Sequence, residues 1–72
     1  MIHTNPFEEL ITMPYVTVKM FGGRTDEQKK ALCEKVTEAV VETTGASRES
    51  VVVFIEEMTK DNYSVAGKRL ID

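Results

Sequence analysis

The run Val51-Val52-Val53-Phe54-Ile55 is apolar at every position. Successive side chains of a strand point to opposite faces, so such a run marks a strand covered on both sides. The chain has only 72 residues, material for one domain and one small core. One amphipathic helix precedes the run, and one helix covers one sheet face. The face carrying Val52 and Phe54 must therefore meet something else, most simply another copy of the chain. A chain this short buries only roughly 60% of the surface its unfolded form exposes. No staple makes up the difference: Cys33 is the only cysteine and His3 the only histidine. Neither an intrachain disulfide nor a structural zinc is expected, and no metal site is read. Oligomerisation is the remaining source of stability.

The rest of the pattern supplies that helix and a partner strand. Tyr15 to Phe21 alternates, with Val16, Val18 and Met20 on one side and Tyr15, Thr17, Lys19 and Phe21 on the other. Gly22-Gly23 breaks it. Thr25 followed by Gln28 forms a capping-box pattern, and Asp26 and Glu27 suit the first turn of a helix. The helix is predicted from about Asp26 to Thr44, with Leu32, Val36, Ala39, Val40 and Thr43 on its apolar face. Lys30, Glu34, Lys35, Glu38 and Glu42 fall on the solvated side, and Gly45 is the stop. Val51 to Ile55 follows as the second strand. Strand, helix, strand implies a parallel pair with a right-handed crossover. Thr59 to Asn62 reads as a turn, and Tyr63 to Leu70 as an edge hairpin or a tail that grasps a partner. The fold class is α/β (α+β): a β-α-β subunit with a short C-terminal hairpin. The half that would close such a sheet has to come from another subunit.

Charge and hydropathy narrow the partners. The formal charge is −3, with acids and bases interspersed. Nucleic-acid binders carry basic stripes instead, so no nucleic acid is expected. No apolar run approaches the roughly 20 residues of a membrane span. Met1 to Thr12 has neither a basic nor an apolar signal-peptide region, so cytoplasmic residence is expected.

Few side chains are suited to chemistry. Cys33 follows Leu32 on the helix and reads as a packing residue at the edge of the core. His3 reads as a solvated tail residue, Glu56 and Glu57 as a solvated strand end, and Lys29-Lys30 as helix surface. Pro14, Arg24 and Tyr63 remain. If Met13 is an initiator that is trimmed, Pro14 offers a free secondary amine. An α-amino group titrates near pH 8 in a peptide, and burial near a cation lowers that value. Such an amine is a neutral base suited to moving a proton. If the chain before it is retained, the same nitrogen is a tertiary amide without basicity. Arg24, after the glycine pair, offers a planar fork to a carboxylate. The plainer readings stand beside these: a proline bounding a strand, and an arginine that is surface charge.

The order of these residues is nevertheless specific. Met13-Pro14-Tyr15-Val16 is followed by Gly23-Arg24-Thr25-Asp26-Glu27-Gln28-Lys29-Lys30, then Glu34-Lys35-Val36-Thr37-Glu38-Ala39. Ile55-Glu56-Glu57-Met58 and Asn62-Tyr63 with Ala66-Gly67 complete the series. From Met13 to Asp72 the chain closely resembles the 4-oxalocrotonate tautomerase family. The resemblance implies a β-α-β subunit assembled as a hexamer, a trimer of dimers. It also implies cofactor-free enol–keto tautomerisation of a small carboxylate substrate of the 2-hydroxymuconate type. Pro14 falls on the family's N-terminal proline, the proton shuttle. Arg24 falls on the arginine that binds the substrate carboxylate, and Tyr63 on an aromatic position of the pocket wall. Two positions depart from the pattern. Val52 stands where the best-studied members carry a second arginine, contributed across a subunit boundary. Gly22 stands where a glutamate is common, which is expected to loosen the loop carrying Arg24.

The division expected along the chain is an extension over residues 1–13 and the tautomerase domain over 14–72. The extension has three readings: upstream sequence included by starting at Met1, an added leader or tag, or a genuine segment that disables the amine. Its apolar residues Ile2, Phe7, Leu10 and Ile11 would let it pack as an added edge strand. The rival to a tautomerase is accordingly a non-catalytic oligomer or ligand-binding scaffold with a blocked Pro14. A narrower alternative is a relative acting on other 2-oxo or unsaturated acids by hydration or decarboxylation.

Overall fold

A computed structural model describes residues 13–72. The expectations for His3 and for an edge strand before Met13 lie outside the described residues. Strand β1 (Tyr15–Phe21) leads to helix α1 (Asp26–Thr44), a 3-10 turn (Arg48–Ser50) and strand β2 (Val52–Met58). A hairpin of β3 (Ser64–Val65) and β4 (Lys68–Arg69) ends the chain.

The ends of α1 are set by the residues that mark them in the sequence. The Thr25 hydroxyl accepts from the Gln28 N–H at 3.1 Å, and the Gln28 side-chain oxygen accepts from the Thr25 N–H at 2.9 Å. These two bonds satisfy donors that a helix start otherwise leaves open. At the other end Gly45 adopts φ 76° and its N–H donates to the Val41 carbonyl. That left-handed conformation is open to glycine without the Cβ clash other residues meet.

β1 and β2 pair in parallel, with Tyr15 opposite Val52 and Phe21 opposite Met58. The second strand therefore starts one residue later than the apolar run suggests and continues three residues further, through Glu56, Glu57 and Met58. The reason is the partner: β1 runs on to Phe21, and its backbone groups pair with those of the two glutamates. Alternation along both strands then sorts the side chains. Val16, Val18, Met20, Val53 and Ile55 are half-buried on the side facing α1. Tyr15, Thr17, Lys19 and Phe21 meet Val52, Phe54, Glu56 and Met58 on the other side. Among the described residues, no helix covers that second face, and the Tyr63 ring packs only on Phe21 at its end. Tyr15 is 70% exposed and Phe54 60%. Among the described residues none is fully buried.

The helix contributes a slightly different strip from the one periodicity suggests. Leu32, Val36 and Val40 are half-buried, joined by Cys33, Thr37 and Val41, whereas Ala39 and Thr43 are exposed. Thr43 is occupied otherwise: its hydroxyl donates to the Ala39 carbonyl at 2.8 Å. The strip thus follows the 33-37-41 row as well as the 32-36-40 row, both at helical spacing. The hairpin also departs from an edge position. β3 and β4 form a separate two-stranded sheet, turned at Ala66 (φ 53°) and Gly67 (φ 81°). Positive φ at both central residues is the turn whose twist suits a tight hairpin. Val65, Leu70 and Ile71 on this segment stay more than half exposed, at 63%, 54% and 54%. Among the described residues no helix is long and apolar enough to cross a membrane.

The cap geometry generates a stability expectation. Thr25→Ala removes the hydroxyl acceptor and should destabilise the fold by about 1 kcal/mol. Denaturant unfolding of both proteins at matched concentration checks this, and an unchanged midpoint would remove the capping box from the account.

Candidate active site

Proline suits the start of β1 because a strand's first residue needs no ladder donor. Pro14 is half-buried there, and its carbonyl accepts from the Val52 N–H at 3.0 Å. Met13 precedes it, so in this chain its nitrogen is an amide. Val52 is the β2 residue that pairs beside this end, opposite Tyr15, and its side chain brings no charge. The neighbouring concavity is lined by Met13, Ser47, Glu49 and Ser50.

Arg24 sits at the far end of the same strand. β1 has seven residues, and at about 3.3 Å each they separate Pro14 from the loop after Phe21 by roughly 23 Å. Gly23, at φ 115°, turns the chain there, and Arg24 emerges exposed just before the Thr25 cap. Tyr63 is found at this end as well. Its ring packs edge-on against Phe21, with centroids 5.2 Å apart and planes at 75°. The turn before Tyr63 is tied by Asn62, whose side-chain oxygen accepts from the Thr59 N–H at 2.9 Å. One chain therefore gathers Arg24 and Tyr63 at the C-terminal end of the sheet and holds Pro14 at the opposite end. The three residues do not meet within a single subunit.

Beside Arg24 lies a shallow pocket of about 210 Å³ lined by Met20, Arg24, Gln28, Lys29 and Leu32. Met20 and Leu32 give it an apolar wall, and two cations stand on its rim. They are not equivalent. Lys29 Nζ lies 3.1 Å from Glu57 Oε1 and 3.8 Å from Asp26 Oδ1. The hydrogen bond to Glu57 and the charge of that carboxylate push the lysine pKa up from its ordinary 10.5. A raised pKa means that the lysine stays charged below 10.5, and its contribution to the pair is lost only as the pH rises through the higher folded value. Arg24 has no carboxylate within ion-pair distance among the described residues.

Glu57 was legible only as a solvated strand end; the structure turns it inward, toward α1. Its Oε2 lies 3.0 Å from where a Cβ on Gly22 would stand. A side chain at Gly22 would therefore make that carboxylate shift. The Gly22 N–H also donates to the Met58 carbonyl at 3.3 Å, which anchors the start of the loop to β2. Glu56 and Lys19 pair across the open face at 3.8 Å, where both are well solvated. Cys33 is half-buried on the helix, in keeping with a packing role. Among the described residues no three His, Cys, Asp or Glu side chains are grouped to hold a metal ion.

Comparison with known proteins agrees with this architecture. The family model described as "Tautomerase enzyme" matches residues 14–72. The 2-hydroxymuconate tautomerase of Bacillus subtilis (strain 168) is 78% identical over 60 residues, covering 83% of this chain and 97% of that protein. Among solved structures, YwhB, a homologue of 4-oxalocrotonate tautomerase, superimposes with a TM-score of 0.76 at 78% identity, covering 82% of this chain and 97% of that one. TomN, a 4-oxalocrotonate tautomerase homologue in the tomaymycin biosynthetic pathway, gives a TM-score of 0.73 at 33% identity over 81% of this chain and 89% of that one. The β-α-β fold, the glycine-flanked Arg24 loop and a family match over 14–72 agree, and the chain belongs to the tautomerase family.

Proposed function

We propose that this tautomerase converts 2-hydroxymuconate-type enols to their unsaturated 2-oxo acids without a cofactor, with the amine of Pro14 as proton shuttle. The observation that carries the reading is the position of Pro14: half-buried at the head of β1, beside the uncharged Val52, where an amine would be partly desolvated. Desolvation disfavours the ammonium form and leaves a neutral base at neutral pH. The base takes the proton from the enol hydroxyl and returns it to carbon, becoming a cation in between. Arg24 binds the substrate carboxylate, and Tyr63 gives the composite site an aromatic wall. Because β1 holds Pro14 away from the other two, the working site combines Pro14 of one subunit with Arg24 and Tyr63 of another. The uncovered sheet face supplies the reason to associate, and a hexamer acting in the cytoplasm is the assembly proposed.

The second reading, a scaffold without catalysis, draws on the amide linking Met13 to Pro14. An amide lone pair is delocalised into the carbonyl and accepts no proton. Two forms of the protein separate the readings: one confirmed by mass to begin at Pro14, the other retaining residues 1–13. The short form should tautomerise 2-hydroxymuconate with a rate that rises with pH through the amine pKa. The long form, folded by circular dichroism, should be nearly inactive. Equal rates in both would move the chemistry away from the amine.

Two further outcomes follow from the same reading. In the active form, Arg24→Ala should lower kcat/KM by about tenfold or more, the effect of losing a charge-assisted hydrogen bond worth about 1.5–3 kcal/mol. An unchanged rate counts against Arg24 as the carboxylate ligand. Sedimentation at micromolar concentration should give an oligomer, since burying apolar surface contributes roughly 25 cal/mol per Å². A stable monomer would leave the face of Tyr15, Val52 and Phe54 unexplained.

A further inference from the structure

We propose that Glu57 sets the charge selectivity of the Arg24 pocket: by pairing with Lys29 it leaves Arg24 as the one uncompensated cation, so that the pocket takes one singly charged carboxylate group, such as either end of a dicarboxylate, in preference to a doubly charged group such as a phosphate monoester. The proposal rests on the reading of Arg24 as the anion ligand and assigns a specificity role to two residues outside the proton-transfer chemistry. Lys29 and Arg24 line the same pocket of about 210 Å³. Without a partner, Lys29 would present a second positive charge to whatever binds there. Glu57 prevents this. It comes from β2, 28 positions away in sequence, and its carboxylate accepts a hydrogen bond from the lysine ammonium at 3.1 Å. Lys29 is the less exposed partner, 29% against 41% for Glu57, so the pair is partly shielded from competing water. Asp26 contributes little to the compensation, because it is 3.8 Å away and its side chain is fully exposed.

The other groups at the pocket do not alter the balance. Met20 and Leu32 are apolar. Gln28 is neutral, and its side-chain oxygen is already engaged by the Thr25 N–H at 2.9 Å. The Gln28 N–H at the helix start is taken by the Thr25 hydroxyl at 3.1 Å. Gly22 completes the device, since a Cβ there would stand 3.0 Å from Glu57 Oε2. A site of this composition suits a flat carboxylate on a short apolar body: the guanidinium meets the anion bidentately, and Met20 with Leu32 meets the carbon skeleton.

The test measures binding on the full 72-residue chain, where no free proline amine is needed. Failure of the proton-shuttle reading therefore leaves its outcome untouched. Titrations with benzoate and with phenyl phosphate compare a monoanion and a dianion on the same apolar body. At about pH 8 the phosphate is doubly ionised, its second pKa lying near 6 as in phosphorylated side chains. Glu57→Gln should raise the affinity for phenyl phosphate relative to benzoate by about fivefold, the scale of one partly solvated charge contact. Adding Lys29→Gln to Glu57→Gln should return that ratio to its starting value, and Arg24→Ala should weaken both anions. A ratio unchanged in Glu57→Gln overturns the proposal. So does a raised ratio that survives the loss of Lys29, or full binding of both anions without Arg24.

Discussion

The in-register parallel pairing of β1 with β2 is the interaction on which everything else in this subunit depends. It fixes which side chains face α1, and so which apolar surface one helix can cover. It also leaves a second face on which, among the described residues, Tyr15 and Phe54 stand mostly open to water. Antiparallel hairpins can be two-sided economically, with a polar outer face. A parallel pair built on an apolar run cannot, because alternation along that run sends apolar side chains to the far side as well as to the core. The incompleteness of the subunit is thus written into the strand that stabilises it.

The pairing also distributes the chemistry. A proline belongs at a strand's beginning and a glycine-flanked arginine loop at its end. A parallel sheet of seven-residue strands places such features at opposite poles. The distance between Pro14 and Arg24 within one chain is therefore a geometric consequence of residue type. The two ends also differ in character: the end with Pro14 is tied by the bond from the Val52 N–H, while the end with Arg24 is a loop beside the Lys29–Glu57 ion pair.

Much of this was legible in the sequence, and the physical reasons for the rest are local. Thr25 with Gln28, and Gly45, announced the ends of α1 because caps are short-range devices read within four residues. The alternation of Tyr15 to Phe21 survived intact because its period matches the pleat. The end of β2 was missed because Glu56 and Glu57 break the apolar run while their backbones still pair with Lys19 and Met20; pairing is a property of the partner strand, which no single-strand pattern contains. Ala39 and Thr43 were misassigned for a related reason: the helix could roll by a residue and keep its periodicity, and only contact with the strands chose Thr37 and Val41. At the site, Pro14, Arg24 and Tyr63 carried signals of position and resemblance. The Lys29–Glu57 pair carried none, since it joins residues of different elements, and the blank at Gly22 that admits it looks in sequence like flexibility.

One detail of β1 has a wider bearing. Pro14 joins the sheet through its carbonyl alone, by the bond from the Val52 N–H. Proline has no amide hydrogen, so its nitrogen is never part of the ladder, whatever precedes it. Cutting the chain before Pro14 changes the chemical nature of that nitrogen from amide to amine while the bond from the Val52 N–H to the Pro14 carbonyl needs no change. Reactivity and architecture are thereby uncoupled at a single atom, and a peptidase acting at Met13 would switch a base on without asking the fold to move.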